Sequence, residues 1–255
     1  MNESLNKVFR KVPEITIIFW VAKLLTTAMG EATSDFFVFK INPYLAVTVG
    51  GIILVIALLM QFSVHRYIPW VYWFAVAMVA VFGTMAADAL HIQIGIPYIV
   101  TTIFFALTLA IVFITWHRTE KTLSIHSINT HRREMFYWAT VLATFALGTA
   151  AGDLTAITFH LGYFSSALLF SGLIVVPVIG YWLFNLNEVI AFWTAYVLTR
   201  PIGASFADWI GKSKRVGSLG FGDGRVSILL TIFIVILVGY MVFDRREVRR
   251  ESKLT

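Results

Sequence analysis

The chain has 255 residues, 58% of them hydrophobic and 13% charged, with a mean hydropathy of +0.80 and a formal net charge of +6. That balance excludes a soluble domain, because several apolar runs are long enough to cross a bilayer. The absence of cysteine excludes disulfides, thiolate catalysis and soft thiolate metal sites together, and the basic residues come with no nucleic-acid-binding motif.

Eight spanning segments are predicted, near 13–36, 44–64, 69–90, 97–116, 134–154, 163–184, 188–210 and 225–243. The first begins MNESLNKVFRKVPEITIIFW, basic and then apolar like a signal peptide. It runs on through Lys23 without a small-residue cleavage site and is predicted as a retained helix, one that also carries Glu31 and Asp35. The second and eighth, GGIILVIALLM and SILLTIFIVILV, read as plain lipid-facing elements. Near the end of the third stands Asp88 with His91 three residues on, and near the end of the fifth Asp153 with His160 seven on. Each pair is half a metal site at most, and loop histidines near a surface are more often solvated. His117, His126 and His131 show no ligand spacing. The seventh segment holds Arg200 directly before Pro201, which removes a backbone hydrogen bond in mid-segment and predicts a broken helix of the kind that lines binding sites. Beyond it, Gly211-Lys212-Ser213 echoes the end of a phosphate-binding loop, but Phe206 stands where that motif needs glycine, and GSLGFGDGR reads as a flexible outer loop. Sorted onto alternate sides, Lys7, Arg10, Lys11, Arg66, Arg118, Lys121, Arg132, Arg133, Arg245, Arg246, Arg249, Arg250 and Lys253 face Lys40, Lys212, Lys214, Arg215 and Arg225, 13 against 5. That asymmetry predicts a multi-pass protein of the bacterial cytoplasmic membrane with both termini cytoplasmic.

An internal repeat organises these segments. Trp20, Trp73, Trp138 and Trp193 are each followed ten positions later by a glycine (Gly30, Gly83, Gly148, Gly203) and five beyond that by an aspartate (Asp35, Asp88, Asp153, Asp208). Each tryptophan also follows an aromatic residue, Phe19, Tyr72, Tyr137 or Phe192. The chain therefore resembles a family of bacterial membrane proteins built from four tandem repeats, each with two transmembrane segments and a characteristic tryptophan, classed as a repeat of unknown function. The resemblance covers roughly Val12 to Phe243 and implies an all-α integral membrane protein, a single domain over 1–255 with repeats at about 12–66, 67–120, 131–185 and 186–244. Eight transmembrane helices as four parallel hairpins give a pseudo-four-fold arrangement. The family carries no established activity, so the chemistry rests on the residues.

At ~100° per residue, a Trp and an Asp fifteen apart lie within ~60° of each other, with the Asp ~22 Å further along the helix; the Gly is ~140° away from the Asp. Glycine there suits close helix packing, and the tryptophans fit either an interfacial belt or an interior lining. A carboxylate at a helix C-terminus meets the wrong end of the dipole, so the four aspartates either cap loops or form an inward ring offset by protons, bases or a bound cation. Four and eight residues before each Asp stand Glu31 and Thr27, Thr84 and Ala80, Thr149 and Phe145, and Ala204 and Arg200. Lys23 adds a base that either snorkels or lines the interior. Five acids (Asp35, Asp88, Asp153, Asp208, Glu31) less two bases (Lys23, Arg200) leave −3. This is the equipment of a small-cation transporter, in its most direct form one that exchanges a divalent metal for protons. The metal would sit on Asp35, Asp88, Asp153 and Asp208, with Glu31, Thr84 and Thr149 adding oxygens, Lys23 and Arg200 as counter-ions, and Trp20, Trp73, Trp138 and Trp193 along the pathway. No cofactor is expected; the partners are the bilayer, the cation and protons, and no nucleic acid. A membrane enzyme acting on a lipid or quinone, and a scaffold or sensor, are the alternatives. The sequence leaves the ion, the direction, the energy source and the oligomeric state open.

Overall fold

The computed structural model describes residues 11–251, so Lys7, Arg10 and Lys253 of the basic asymmetry lie outside the described residues. The described residues form nine α-helices and no strand: α1 (Ile17–Lys40), α2 (Pro43–Ser63), α3 (Pro69–Asp88), α4 (Tyr98–Glu120), α5 (His131–Asp153), α6 (Tyr163–Leu173), α7 (Val175–Phe184), α8 (Glu188–Gly211) and α9 (Asp223–Glu251). α6 and α7 follow each other across Ile174 as the two halves of the predicted sixth span. Helix starts match their sequences. Thr16 accepts from Phe19 N, Asn42 from Tyr44 N and Leu45 N ahead of Pro43, Thr130 from Arg133 N, and Asn187 from Val189 N and Ile190 N.

Among the described residues six stretches are long and apolar enough to cross a membrane: Pro43–Ser63, Pro69–His91, Tyr98–Glu120, His131–Thr158, Tyr163–Phe184 and Asp223–Asp244. The chain is thus an all-helical, multi-pass membrane protein. α1 and α8 reach the needed length, 24 residues each, but are not among the six; α1 carries Lys23, Glu31 and Asp35, and α8 carries Arg200 and Asp208. A further difference from expectation lies at Pro201: α8 runs through it as one continuous helix rather than a broken one. A membrane helix tolerates the lost backbone bond where packed neighbours enclose it, and Pro201 is buried within the bundle.

The motif helices α1, α3, α5 and α8 each pack against two others in a closed cycle, α1 on α3, α3 on α5, α5 on α8 and α8 on α1. The plain helices stand outside, each chiefly on the motif helix of the following repeat: α2 on α3, α4 on α5, α6 and α7 on α8, and α9 back on α1. The division follows polarity. Within α5 78% of the spanning window is buried, within α9 only 11%, so the acid-bearing helices are wrapped by protein and the apolar ones are left for lipid. At the end where the motif helices begin, Lys11 is tied to the bundle: its Nζ donates to Glu134 Oε2 at 2.6 Å, Gln61 Nε2 donates to Glu134 Oε1 at 2.8 Å, and Lys11 N donates to Ile128 O at 3.2 Å.

Candidate functional site at the axis of the helix ring

The repeat spacing becomes a stack of layers along the ring. Near the helix starts, each repeat's aromatic residue meets the tryptophan of the next: Phe19 and Trp73 have ring centroids 5.9 Å apart, Tyr72 and Trp138 5.6 Å, Tyr137 and Trp193 6.2 Å, and Phe192 closes the girdle on Trp20 at 5.7 Å. Trp73 Nε1 donates to Tyr67 Oη at 3.2 Å and Trp193 Nε1 to the Leu123 carbonyl at 2.9 Å. The tryptophans are therefore packed between repeats, with Trp73, Trp138 and Trp193 buried and Trp20 half-buried. One layer further along, each motif glycine faces the residue eight before the aspartate of the next repeat: Gly30 against Ala80, Gly83 against Phe145, Gly148 against Arg200 and Gly203 against Thr27. A methyl on Gly148 would overlap the Arg200 stem, so that glycine makes the room in which the guanidinium lies.

The next layer is a buried ion-pair plug. Arg200 Nη2 donates to Glu31 Oε2 at 2.6 Å, to Thr149 Oγ1 at 2.6 Å and to Thr84 Oγ1, while Nη1 reaches the Thr27 carbonyl at 3.5 Å. Both threonine hydroxyls accept from the guanidinium and lie 3.4 Å from Glu31 Oε2; Thr149 can donate to the carboxylate, while Thr84 Oγ1 has a nearer acceptor in the Ala80 carbonyl at 3.0 Å. Three repeats supply an oxygen four residues before their aspartate. The fourth supplies Ala204, and its Arg200 enters from one turn earlier to bind the other three. Glu31, Thr84, Thr149 and Arg200 are at most 1% exposed, so the axis is closed at this level.

Beyond the plug the four aspartates converge, none more than 6% exposed. Lys212 Nζ stands 3.2 Å from Asp35 Oδ2 and 3.1 Å from Asp208 Oδ2, and donates to Tyr163 Oη at 3.3 Å. Ser34 Oγ donates to Asp88 Oδ2 at 3.5 Å. Among the described residues Asp88 and Asp153 form no ion pair. The helices carrying them loosen into π turns immediately afterwards, Ala89–Gln93 and Leu154–Thr158, a backbone irregularity frequent at functional sites. One oxygen each from Glu31, Asp35 and Asp208 lie within 4.8 Å of one another, a spacing and an all-oxygen set suited to a hard cation.

A family model matches the chain in four successive copies, over residues 18–67, 71–122, 136–186 and 191–247, under the description Repeat of Unknown Function (DUF347). The chain belongs to this repeat family. No curated protein and no solved structure matches it. Each DUF347 copy contains one Trp-Gly-Asp helix and the plain helix that follows it, so the girdle, the glycine layer and the acid layer are all contacts between copies.

Two groups in this DUF347 chain stand differently from their sequence reading. Lys212, sorted with the outer-loop bases, reaches back into the acid layer; its i,i+4 spacing from Asp208 was the available signal. Lys11, also counted as a surface base, pairs with buried Glu134 through contacts that span 123 positions and leave no local trace. His91 is held by its own loop, Nδ1 2.7 Å from the Ile96 carbonyl and its ring stacked on Tyr98, and His160 is exposed at φ +55°; among the described residues neither joins the acidic trio.

Lys23 does not snorkel. It is 1% exposed, its Nζ has no hydrogen-bond partner, and it sits 3.9 Å from the Phe145 ring centroid and 4.0 Å from that of Tyr196. Leaving a buried donor unsatisfied costs about 1–3 kcal/mol, and the two aromatic faces return only part of that. Lys23→Met fills the same volume with a thioether that suits aromatic neighbours. Thermal unfolding in detergent micelles is expected to show the variant more stable by about 1–2 kcal/mol. A less stable variant would mean that the aromatic contacts outweigh the desolvation.

Proposed function

We propose that this protein is a transporter for a small cation, in its most direct form a hard divalent metal exchanged for protons, acting in the bacterial cytoplasmic membrane. In this reading the bundle crosses the bilayer eight times in a pseudo-four-fold arrangement with both termini cytoplasmic, and α1 and α8 are spans whose charges belong to the pathway. The observation that carries the reading is the charge on the ring axis: Asp35, Asp88, Asp153, Asp208 and Glu31 are all buried there with Lys23, Arg200 and Lys212, a formal −2. An interior of low dielectric holds such an excess only with protons or a cation, and a site that trades one for the other is what exchange requires. The Arg200–Glu31 plug is the gate between the acid layer and the aromatic girdle, and it opens for the cation to pass.

An enzyme reading finds less support. The crevice of about 1000 Å³ between α1, α2, α3 and α9 is lined by apolar side chains such as Met29, Trp73, Met85 and Ile234, and none of the ring acids reaches it. Its hydroxyls Thr33 and Ser227 bond each other at 2.6 Å with no base beside them in the lining. The test is cation flux in liposomes holding the purified protein, with Mn²⁺, Ca²⁺, Mg²⁺, Na⁺ and K⁺ as probes and an internal pH dye. Movement of at least one hard cation against protons, absent from protein-free liposomes, is the expected result. No flux of any probe in either direction would sink the proposal.

A further inference from the structure

We infer that Lys212 is a tethered stand-in for the transported cation: its ammonium fills the acid layer between Asp35 and Asp208 and leaves when a cation binds Glu31, Asp35 and Asp208. The inference rests on the transport reading and adds to it the position of the cation and the residue that competes for it.

Three features of the site lead there. The first is overlap, because Asp35 and Asp208, which Lys212 Nζ approaches at 3.2 and 3.1 Å, are two of the three carboxylates whose oxygens gather within 4.8 Å. A divalent ion and an ammonium cannot share those oxygens; the charges repel at that range and the lone pairs are the same. The second is incomplete satisfaction. Asp35 is 2% exposed, yet its Oδ2 has no hydrogen-bond donor in line, the ammonium standing beside it without the geometry of a bond. A buried carboxylate oxygen held by charge alone is better satisfied by a cation that coordinates it directly.

The third is a way out. Of the three bases on the axis, Arg200 and Lys23 are sealed at 0% and 1% exposure, while the Lys212 side chain is 20% exposed and begins just past the end of α8. The loop behind it is tied to the helix by Leu219 N to Trp209 O, Phe221 N to Ile210 O and Gly222 N to Gly211 O, so the backbone stays fixed while the side chain turns. A flexible four-carbon stem with a compact charge suits such a swing; the planar guanidinium of the plug, bound to three oxygens at once, does not.

The experiment uses Mn²⁺ and the full chain in detergent. Acetic anhydride labelling read by peptide mass spectrometry should show Lys212 acetylated about ten-fold faster once Mn²⁺ saturates the protein, because an amine released to water reacts like any surface lysine. Calorimetric titration should show Mn²⁺ binding about ten-fold tighter to Lys212→Gln, the effect of removing one competitor, and no tighter than the parent to Lys212→Arg. If Mn²⁺ binds and Lys212 labelling stays level or falls, the inference is overturned while the transport reading stands. If the parent binds no Mn²⁺ the inference is overturned, and the transport reading falls with it only when none of the five cations moves. Labelling of the parent decides the matter even where Lys212→Gln fails to fold.

Discussion

Arg200→Met is expected to lower stability by about 3–5 kcal/mol, and adding Glu31→Gln to it to restore most of that loss. The single substitution keeps the stem that lies against Gly148 but leaves the Glu31 carboxylate buried with two hydroxyls and no base. An uncompensated charge at 1% exposure is far more costly than the absence of the pair, and a neutral amide in the same place donates and accepts within the reach of Thr84 and Thr149. Arg200→Lys should not substitute, because a point charge on a different stem cannot address Glu31, Thr84 and Thr149 together as the guanidinium does. Thermal unfolding of the four proteins in detergent gives the coupling through a double-mutant cycle. A coupling below about 1 kcal/mol would show that the plug is two independent side chains rather than one unit. Under the transport reading the double variant also loses its gate while keeping its fold, so flux and stability should separate in it.

The ring was legible as spacing before it was visible as structure, because an aromatic residue, a tryptophan, a glycine and an aspartate at fixed offsets recur four times. The spacing did not say what the offsets touch. Phe19 meets Trp73 and Gly148 meets Arg200 across repeats, and a single sequence contains no sign of which copy neighbours which until the closing contacts, Phe192 on Trp20 and Gly203 on Thr27, join the last to the first. Arg200 and Glu31 stood out because they break the repeat, and the structure brings those two exceptions to within 2.6 Å of each other. Lys212 was missed for the opposite reason. It lies past the helix end in a glycine-rich loop, where basic residues usually report orientation, and only its distance of four from Asp208 pointed inward. The proline beside Arg200 misled because its cost depends on surroundings, and packed neighbours let the helix continue through it.

Replacing Asp35 or Asp208 by Asn is expected to cut cation flux on the order of 100-fold, with Asp88→Asn and Asp153→Asn losing roughly ten-fold. Asn keeps the shape and removes the charge, so the comparison isolates electrostatics from packing. Asp35 and Asp208 belong to the trio with Glu31 and also hold Lys212, so under the transport reading losing either would remove a cation ligand and half of the ammonium's seat. Asp88 and Asp153 lie in the same layer without an ion pair, and under the transport reading their part would be to raise the local field and pass the cation on. Folding should survive in all four, judged by an unchanged elution profile and unfolding temperature. A rival form of the transport reading, in which the cargo is an organic cation held by aromatic faces, predicts the reverse order, with Trp20→Ala, Trp73→Ala, Trp138→Ala and Trp193→Ala losing more flux than any Asn variant at equal folded amount. The girdle argues against that rival, since each tryptophan is already packed against the aromatic residue of the preceding repeat. Truncating Trp73 or Trp138 should instead destabilise the ring by about 3–5 kcal/mol, which unfolding would register before any flux is measured. Four Asn variants that all carry Mn²⁺ at the parental rate would remove the acid layer from the mechanism, whatever the ranking among the tryptophans.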